Sequence, residues 1–130
     1  MKTGLVLAFL LSLPQCAQDE TVSAYGAADR TWLLAEIDGT TFSATATLAF
    51  SDSGVIHGTG PCNRFSARQA APYPWFEIRD LSVTRRACPD LKPETRFLNS
   101  LQKMTLAEVF DNTLILSTED GRQMVFRSSD

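Results

Sequence analysis

The chain has 130 residues, of which 44% are hydrophobic, and its 12 basic and 15 acidic residues give a formal net charge of -3. Such a length supports one domain with a single modest core. Removing the first 17 residues would take away Lys2 and no acid, leaving 11 basic against 15 acidic residues and a net charge of -4. Nucleic acid is therefore excluded as a general partner.

The N-terminal 17 residues have the pattern of an export signal. Lys2 is followed by an apolar run over 5–13 and then by Pro14-Gln15-Cys16-Ala17, which is the charged, apolar and polar order of such signals. The run is too short to span a bilayer. Lipid modification of Cys16 would anchor the mature protein to a membrane, whereas cleavage after Ala17 would release it as a soluble protein. Both routes stay open, and either predicts an exported protein.

The mature chain is predicted to begin with a tether and to continue into a domain of short strands. Residues 18–29 are polar and rich in small residues without periodicity, which predicts a flexible tether. The domain is predicted over 30–128, where apolar alternation is broken by turn residues such as Asp38-Gly39. The predicted strands lie around Trp32 to Ile37 and over 45–50, 55–58, 64–68, 75–78 with 81–84, 105–109, 113–117 and 123–127.

One helix is predicted after Pro89 and Asp90. Phe97, Leu98 and Leu101 recur there at three- and four-residue spacing, so they share one helix face. About eight short strands, with this helix between the fifth or sixth and the last three, predict a mostly β fold. The expected architecture is a small antiparallel sheet that curls into a barrel-like form.

The stretch from Gly58 to Phe65 cannot continue a regular strand. Two glycines, a proline and an asparagine fall within residues 58–63, and these types favour positive φ, remove a donor or bond locally. The predicted turn carries Cys62, and Cys88 stands at a later element boundary. In an oxidising compartment the two predict a disulfide, with two inert thiols as the alternative. The bond would stabilise the domain by about 3.5 kcal/mol in the chain-entropy model.

Catalytic and metal sites are weakly supported. A Cys62 nucleophile needs a base, and the only histidine, His57, lies in a strand ahead of the turn. The cysteines, the histidine and a carboxylate lack the close-spaced pair of ligands typical of zinc sites. A hydrolase built on Asp80, Asp90 and Glu94 has no supporting spacing, and solvated charges are the simpler interpretation. We therefore expect no catalytic residue, no metal, no cofactor and no enzymatic activity.

Two polar residues near the cysteines have predicted structural roles. Asn63 is expected to bond turn backbone through its amide and to tolerate left-handed geometry. Glu94 is expected to meet unpaired amides and the positive dipole end at the helix start. Trp75 and Phe76, which follow a loop with two prolines, are expected to belong to the core.

Arginine is concentrated around the two cysteine segments. If these segments adjoin, Arg64, Arg68, Arg85 and Arg86 predict a patch that binds phosphate or carboxylate groups. The alternative is a set of separate exposed arginines, which strand alternation favours because it sends neighbours to opposite faces. Arg79 belongs to the same basic region.

Four ordered motifs carry a family resemblance: Trp32-x-Leu34-x-x-Ile37-x-Gly39, Gly58-x-x-x-Cys62-Asn63-Arg64-Phe65, Thr84-x-x-Ala87-Cys88, and Glu94 with Phe97. Together they resemble the META domain, the HslJ-like family, over about residues 30–127. The chain departs from the family at Pro61, usually glycine, and at Arg86, usually methionine. The resemblance implies structural roles for Trp32, Gly39, Gly58, Asn63, Phe65, Thr84 and Glu94.

The resemblance also implies a compartment and a general role. Members are small, mostly β, barrel-like domains of bacterial envelope lipoproteins and secreted proteins, associated with stress tolerance, drug resistance and motility. No enzymatic activity is established for the family. We therefore expect a non-enzymatic bacterial envelope protein, either periplasmic or anchored to the outer membrane. Its expected role is stress tolerance or envelope maintenance, as a monomer that binds an unidentified envelope component or protein.

Three alternatives from other functional classes stay open. An inhibitor of a lytic enzyme, such as a lysozyme or protease, would present an exposed rigid loop. A small-ligand carrier would contain a concave apolar cavity. A thiol redox protein would have a solvent-exposed, strained disulfide.

Overall fold

The computed structural model describes residue 4 and residues 18–51 and 54–129. It confirms the mostly β class, with the helix between the sixth strand and the last three. The predicted export signal and Cys16 lie outside the described residues. The elements are a 3-10 helix Val22–Tyr25, β1 Thr31–Ile37, β2 Thr40–Thr41, β3 Thr47–Phe50, β4 Val55–Thr59, β5 Arg64–Arg68, β6 Arg79–Val83, α1 Leu91–Lys103, β7 Leu106–Phe110, β8 Thr113–Ser117 and β9 Gln123–Arg127.

All nine described strands belong to one antiparallel sheet. The strand order is β6-β5-β4-β3-β1-β9-β8-β7, and the short β2 pairs with β1 outside this path. A tight turn joins β1 to β2, as the sequence predicts: Asp38 and Gly39 take positive φ values of 50° and 78° there. The sheet therefore has two end strands, β6 and β7.

The sheet curls until its two ends approach each other, without closing. Residues 74–76 lie along the outer edge of β7, where the Ala107 amide donates to the Pro74 carbonyl at 2.7 Å and the Phe76 amide donates to the Thr105 carbonyl at 2.9 Å. The chain then continues into β6 at the other end of the sheet. The barrel-like form expected from the sequence is confirmed.

Helix α1 packs against the buried face of the curled sheet. The Phe97 ring lies 5.6 Å from the Phe65 ring and 6.4 Å from the Phe42 ring, centroid to centroid. Phe97 and Leu101 are fully buried, and Leu98 packs partly against the same core. The predicted apolar face of the helix is therefore the one that the domain buries. No helix in the described ranges has the length and apolar character needed to cross a membrane.

The prediction of a flexible tether over 18–29 is wrong from Val22 onward. Val22 and Ala27 are fully buried, and the Ala27 carbonyl accepts a hydrogen bond at 3.0 Å from the indole N–H of Trp32. A buried indole needs such a partner. The segment shows no periodicity because its core contribution is one short 3-10 helix rather than a regular strand or helix.

The predicted strands before and after Arg79 also need correction. Residues 75–78 form no strand, and Trp75 contributes one isolated bridge to Leu106. Of the two aromatic residues expected in the core, Phe76 is buried, but Trp75 is 49% exposed. The loop hydrogen bonds described above hold Phe76 inward and leave Trp75 at the surface.

Candidate functional site

The two cysteines form the disulfide that the sequence predicts. Cys62 and Cys88 are bonded, and their Cα atoms lie 5.9 Å apart, which is typical of a disulfide. Both residues are partly exposed. The bond joins the turn after β4 to the segment that leads into α1, so the two motifs that flank the cysteines adjoin in the fold.

A buried carboxylate holds the cysteine turn from the helix side. Glu94 is 5% exposed. Its Oε1 accepts hydrogen bonds from the backbone N–H of Cys62 at 3.1 Å and of Asn63 at 2.6 Å, and its Oε2 accepts one from the Asn63 side-chain amide at 2.7 Å. The sequence suggests that Glu94 serves the start of its own helix or is solvated. It instead caps a distant turn, and the three donors compensate for burial of the charge.

The Asn63 side chain connects this turn to the chain ahead of the helix. Its carbonyl oxygen accepts hydrogen bonds from the Arg86 backbone N–H at 2.6 Å and from the Thr84 hydroxyl at 3.0 Å. Its amide donates to Glu94 and to the Arg86 carbonyl at 3.2 Å. Every hydrogen-bonding position of the side chain is thus used. The expected bonding to its own turn and left-handed geometry are wrong: the described non-glycine residues with positive φ are Asp29, Asp38, Asp80 and Asp111.

Gly58 and Gly60 are required by close approach rather than by positive φ. Gly58 lies within β4, so the strand continues past the point where the sequence predicts that it breaks, and the turn is limited to residues 60–63. A Cβ at Gly58 would overlap the Thr47 carbonyl oxygen, and a Cβ at Gly60 would lie 2.6 Å from Glu94 Oε1. Neither glycine is among those with positive φ. Gly58 therefore lets β4 pack directly against β3, and Gly60 lets the turn pack against the carboxylate of α1.

Three of the four predicted patch arginines lie together. Arg64, Arg85 and Arg86 are exposed and line a shallow concavity of about 290 Å³ with Cys62 and Thr84. The charge of Arg86 is accommodated because Asn63 bonds only the backbone N–H and C=O of Arg86, and the arginine side chain stays at the surface. None of these three guanidinium groups has an ion pair with a described residue.

Arg68 does not belong to this cluster. It lies at the other end of β5 opposite Arg79, which forms an ion pair with Glu77 at 3.0 Å. The exposed Glu77 carboxylate raises the pKa of Arg79 through this hydrogen bond. The predicted four-arginine patch is therefore reduced to three members.

A larger groove continues from the arginine cluster. Its volume is about 500 Å³, within the range of binding clefts, and it separates β6 from the first turn of α1. Leu91, at the start of that helix, is 44% exposed there. The lining residues are Asn63, Leu81, Val83, Thr84, Arg85, Arg86, Ala87, Leu91 and Glu94. We call this the β6–α1 groove.

The residues considered for catalysis or metal binding either lie outside this groove or have their side chains occupied by hydrogen bonds. His57 is exposed on β4, paired opposite Ala49 and Ser66, and does not line either concavity. Glu94 lines the groove but has its carboxylate committed to the turn. Across the described part of the chain, no group of three or more histidine, cysteine or acidic residues is placed to hold a metal ion.

Sequence reasoning missed the apolar part of the groove. Leu91 lies seven residues before Leu98, on the same helix face and one turn ahead of the buried Glu94. Such a spacing marks an exposed apolar residue in line with the core face. Val83 could not be assigned in advance, because its exposure depends on β6 being an end strand.

The architecture places the chain among small, mostly β, barrel-like domains that pack one helix against a curled antiparallel sheet. The family model of the META domain matches residues 26–130, which is most of the chain. This protein therefore belongs to the META domain family. The match also includes the buried Ala27 ahead of β1.

Solved structures share the same fold. An NMR structure of a protein from Burkholderia xenovorans is 23% identical, with a TM-score of 0.65 over 88% of this chain and 92% of that chain. A crystal structure of a DUF4847 family protein from Bacteroides vulgatus is 11% identical, with a TM-score of 0.67 over 84% of this chain and 97% of that chain. At these identities the likeness concerns the fold alone. No curated protein gave a match.

Proposed function

We propose that this META domain is an exported, non-enzymatic binding domain of the bacterial envelope, which engages acidic groups of an envelope component. The observation that carries the proposal is the concave cluster of Arg64, Arg85 and Arg86. Guanidinium groups bind carboxylate and phosphate oxygens through paired, charge-assisted hydrogen bonds. These three have no ion pair within the described residues that would compete with such a ligand.

The disulfide and the buried network make this a preorganised surface. The Cys62–Cys88 bond and the Asn63–Glu94 hydrogen bonds fix the backbone on both sides of the arginines. A ligand then orders mainly side chains, which lowers the entropic cost of binding. This is the arrangement expected of a recognition surface whose partner contributes the opposite charge.

Export is supported by the N-terminal sequence together with the disulfide. The order of charged, apolar and polar residues over 1–17 is that of a secretory signal. Structural disulfides persist in oxidising compartments such as the periplasm. We propose a periplasmic location, with outer-membrane anchoring if Cys16 is lipid-modified, and a role in stress tolerance or envelope maintenance.

Complementation of a deletion strain tests the binding role. Cells that lack the gene are challenged with detergent and a chelator, which together stress the outer membrane, and are complemented with the wild type or with Arg85→Glu/Arg86→Glu. We expect the wild type to restore growth and the charge-reversed variant to fail although it accumulates normally. Arg68→Glu/Arg127→Glu makes the same charge change elsewhere and should restore growth. Full restoration of growth by Arg85→Glu/Arg86→Glu would contradict the proposal.

Intact mass tests the compartment separately. Protein extracted from the envelope fraction should begin at Cys16 with attached lipid, or at Gln18 without it, and should lack two hydrogens for the disulfide. Recovery of an unprocessed, fully reduced chain from the cytosol would contradict export.

One observation favours a second candidate, an inhibitor of a lytic enzyme. The loop 70–76 is fixed by backbone hydrogen bonds from Tyr73 to Glu20 and from Trp75 to Pro72, and it presents Trp75 at 49% exposure. A fixed loop with an exposed aromatic residue suits insertion into an enzyme cleft. The test is lysis of a cell-wall suspension by lysozyme: inhibition that is lost in Trp75→Ala would favour this candidate, and unchanged lysis would exclude lysozyme as the target.

A further inference from the structure

The two end strands of the sheet, β6 and β7, differ in whether other backbone covers their outer edges. The outer edge of β7 is covered by residues 74–76, whose backbone pairs with it. Among the described residues, none covers the outer edge of β6 in this way. Natural sheets usually protect an end strand by covering it, by charging it or by breaking it with proline, because an open edge recruits other strands. β6 has the sequence Arg79-Asp80-Leu81-Ser82-Val83, in which the charged residues lie at its start.

The register identifies the open backbone groups. The Thr84 amide donates to the Arg64 carbonyl at 3.0 Å, so Arg64 and Thr84 form a hydrogen-bonded pair of the antiparallel ladder. Hydrogen-bonded and non-hydrogen-bonded pairs alternate along an antiparallel ladder, so the next pair, Phe65 with Val83, is non-hydrogen-bonded. In such a pair the N–H and C=O of each residue point away from the partner strand. The N–H and C=O of Val83 therefore face the outer edge. No hydrogen bond joins them to any residue within 18–51 or 54–129.

This open edge borders the β6–α1 groove. Leu81 and Val83 line one side of the groove and Leu91 the other, so part of its wall is apolar. Arg85 and Arg86 continue the same wall beyond the end of β6. An extended chain laid along β6 would place alternate side chains toward the apolar wall and bring its acidic residues near the arginines.

We propose that β6 accepts an extended acidic segment of a partner protein as an additional strand of the sheet. The inference rests on the proposed function and makes it specific, because it selects a protein segment rather than an envelope polymer as the ligand. Main-chain hydrogen bonds to Val83 supply affinity, and side-chain contacts in the groove supply specificity. The unpaired arginines of the described cluster supply the charge complementarity.

Peptide binding to the mature domain, residues 18–130, tests this mode directly. The probe is a fluorescein-labelled hexapeptide of alternating glutamate and valine, measured by fluorescence anisotropy. A second peptide of the same sequence carries backbone N-methyl groups on alternate residues, along the edge that would pair with β6. Loss of the peptide's backbone donors should weaken binding by about tenfold or more, since two or more hydrogen bonds are removed.

Variants separate the two contributions. Val83→Pro removes the outward N–H without removing a bond to β5, and proline is tolerated on the free side of an end strand. We expect it to weaken binding of the unmodified peptide by about tenfold and to leave binding of the N-methylated peptide unchanged. Arg85→Glu/Arg86→Glu should weaken both peptides, whereas Arg68→Glu/Arg127→Glu should change either by less than about twofold. Far-UV circular dichroism and Tm check that each variant is folded.

The outcomes distinguish the strand-addition mode from the arginine surface. Equal affinity of the wild type for the two peptides would overturn strand addition while the arginine surface still stands. Binding of neither peptide would overturn both. Because the N-methylated peptide leaves the protein untouched, the test does not depend on the folding of any variant.

Discussion

The buried carboxylate of Glu94 gives the sharpest prediction about the scaffold. Glu94→Gln keeps the size and one oxygen of the side chain and replaces the other oxygen by an amide. If Oε1 continues to accept from the Cys62 and Asn63 amides, the new NH2 group faces the Asn63 side-chain amide, which is also a donor. Two donors then oppose each other in a site that is 5% exposed.

The magnitude follows from the bonds that change. Two backbone bonds lose their charge assistance and a third bond is replaced by donor–donor repulsion, so we expect the free energy of unfolding to fall by about 3 kcal/mol. Glu94→Ala, which removes all acceptors, should cost about 4 kcal/mol. For a domain of this size a loss of about 3 kcal/mol corresponds to a fall in Tm of roughly 12 °C.

Urea denaturation of the mature domain measures the effect, with Glu108→Gln as the matched control. Glu108 is exposed on β7, so its substitution should stay within about 0.5 kcal/mol. A second-site change tests the contact itself: Asn63→Asp in the Glu94→Gln background restores a donor–acceptor pair. Rescue should be partial, because the introduced carboxylate oxygen would also face the Arg86 carbonyl, itself an acceptor. A loss below about 1 kcal/mol for Glu94→Gln would refute the network's role.

Three further changes probe other parts of the scaffold. Cys62→Ser and Cys88→Ser should each lower the free energy of unfolding by about 3.5 kcal/mol, and the double change should add little. Gly58→Ala should lower it by about 3 kcal/mol, because the new methyl group overlaps a backbone carbonyl of β3. The backbone amide of Gln123 and then a neighbouring guanidinium hold the pKa of Asp38 below its ordinary value, despite the opposing effect of burial. Its stabilising contribution is therefore complete above the unfolded-state pKa and is lost as pH falls through the lower folded-state pKa.

Each of these predictions has its own measurement. Additive losses on denaturation would show that the two cysteine sulfurs are not bonded to each other. Gly39→Ala, with φ of 78° but no neighbour within 4 Å, serves as the control for Gly58→Ala and should cost only the left-handed strain of about 1 kcal/mol. Asp38→Asn keeps a residue that tolerates positive φ, and acid denaturation should show a shallower loss of stability below about pH 4. An unchanged acid profile would contradict the role given to Asp38.

The strands and the helix can be predicted from the sequence because apolar residues recur in them at a regular spacing. Alternation predicts the inward positions Leu48, Phe50 and Phe65, and helical spacing predicts Phe97 and Leu101. The disulfide followed from the even pair of cysteines and the export signal. Such patterns depend on neighbouring residues, so a single chain contains the whole signal.

The parts that could not be predicted depend on contacts between distant segments. The sequence predicts a helix-start role for Glu94, because nothing in its own helix shows that a turn 31 residues earlier supplies its hydrogen-bond donors. The sequence predicts a tether around Val22 and Ala27, because one short buried 3-10 helix leaves no periodic pattern of apolar residues. The groove itself exists only because β6 ends the sheet, and that is a property of strand order rather than of any local pattern.

The central claim is that the groove beside the disulfide is the binding surface of this domain. Amide chemical-shift mapping of the 15N-labelled mature domain, titrated with the alternating glutamate–valine peptide, tests it most directly. The account predicts that the largest shifts fall on Val83, Arg85, Arg86 and Leu91, around the β6–α1 groove. Shifts concentrated at the loop around Trp75, or no shifts at peptide concentrations well above those used for anisotropy, would contradict it.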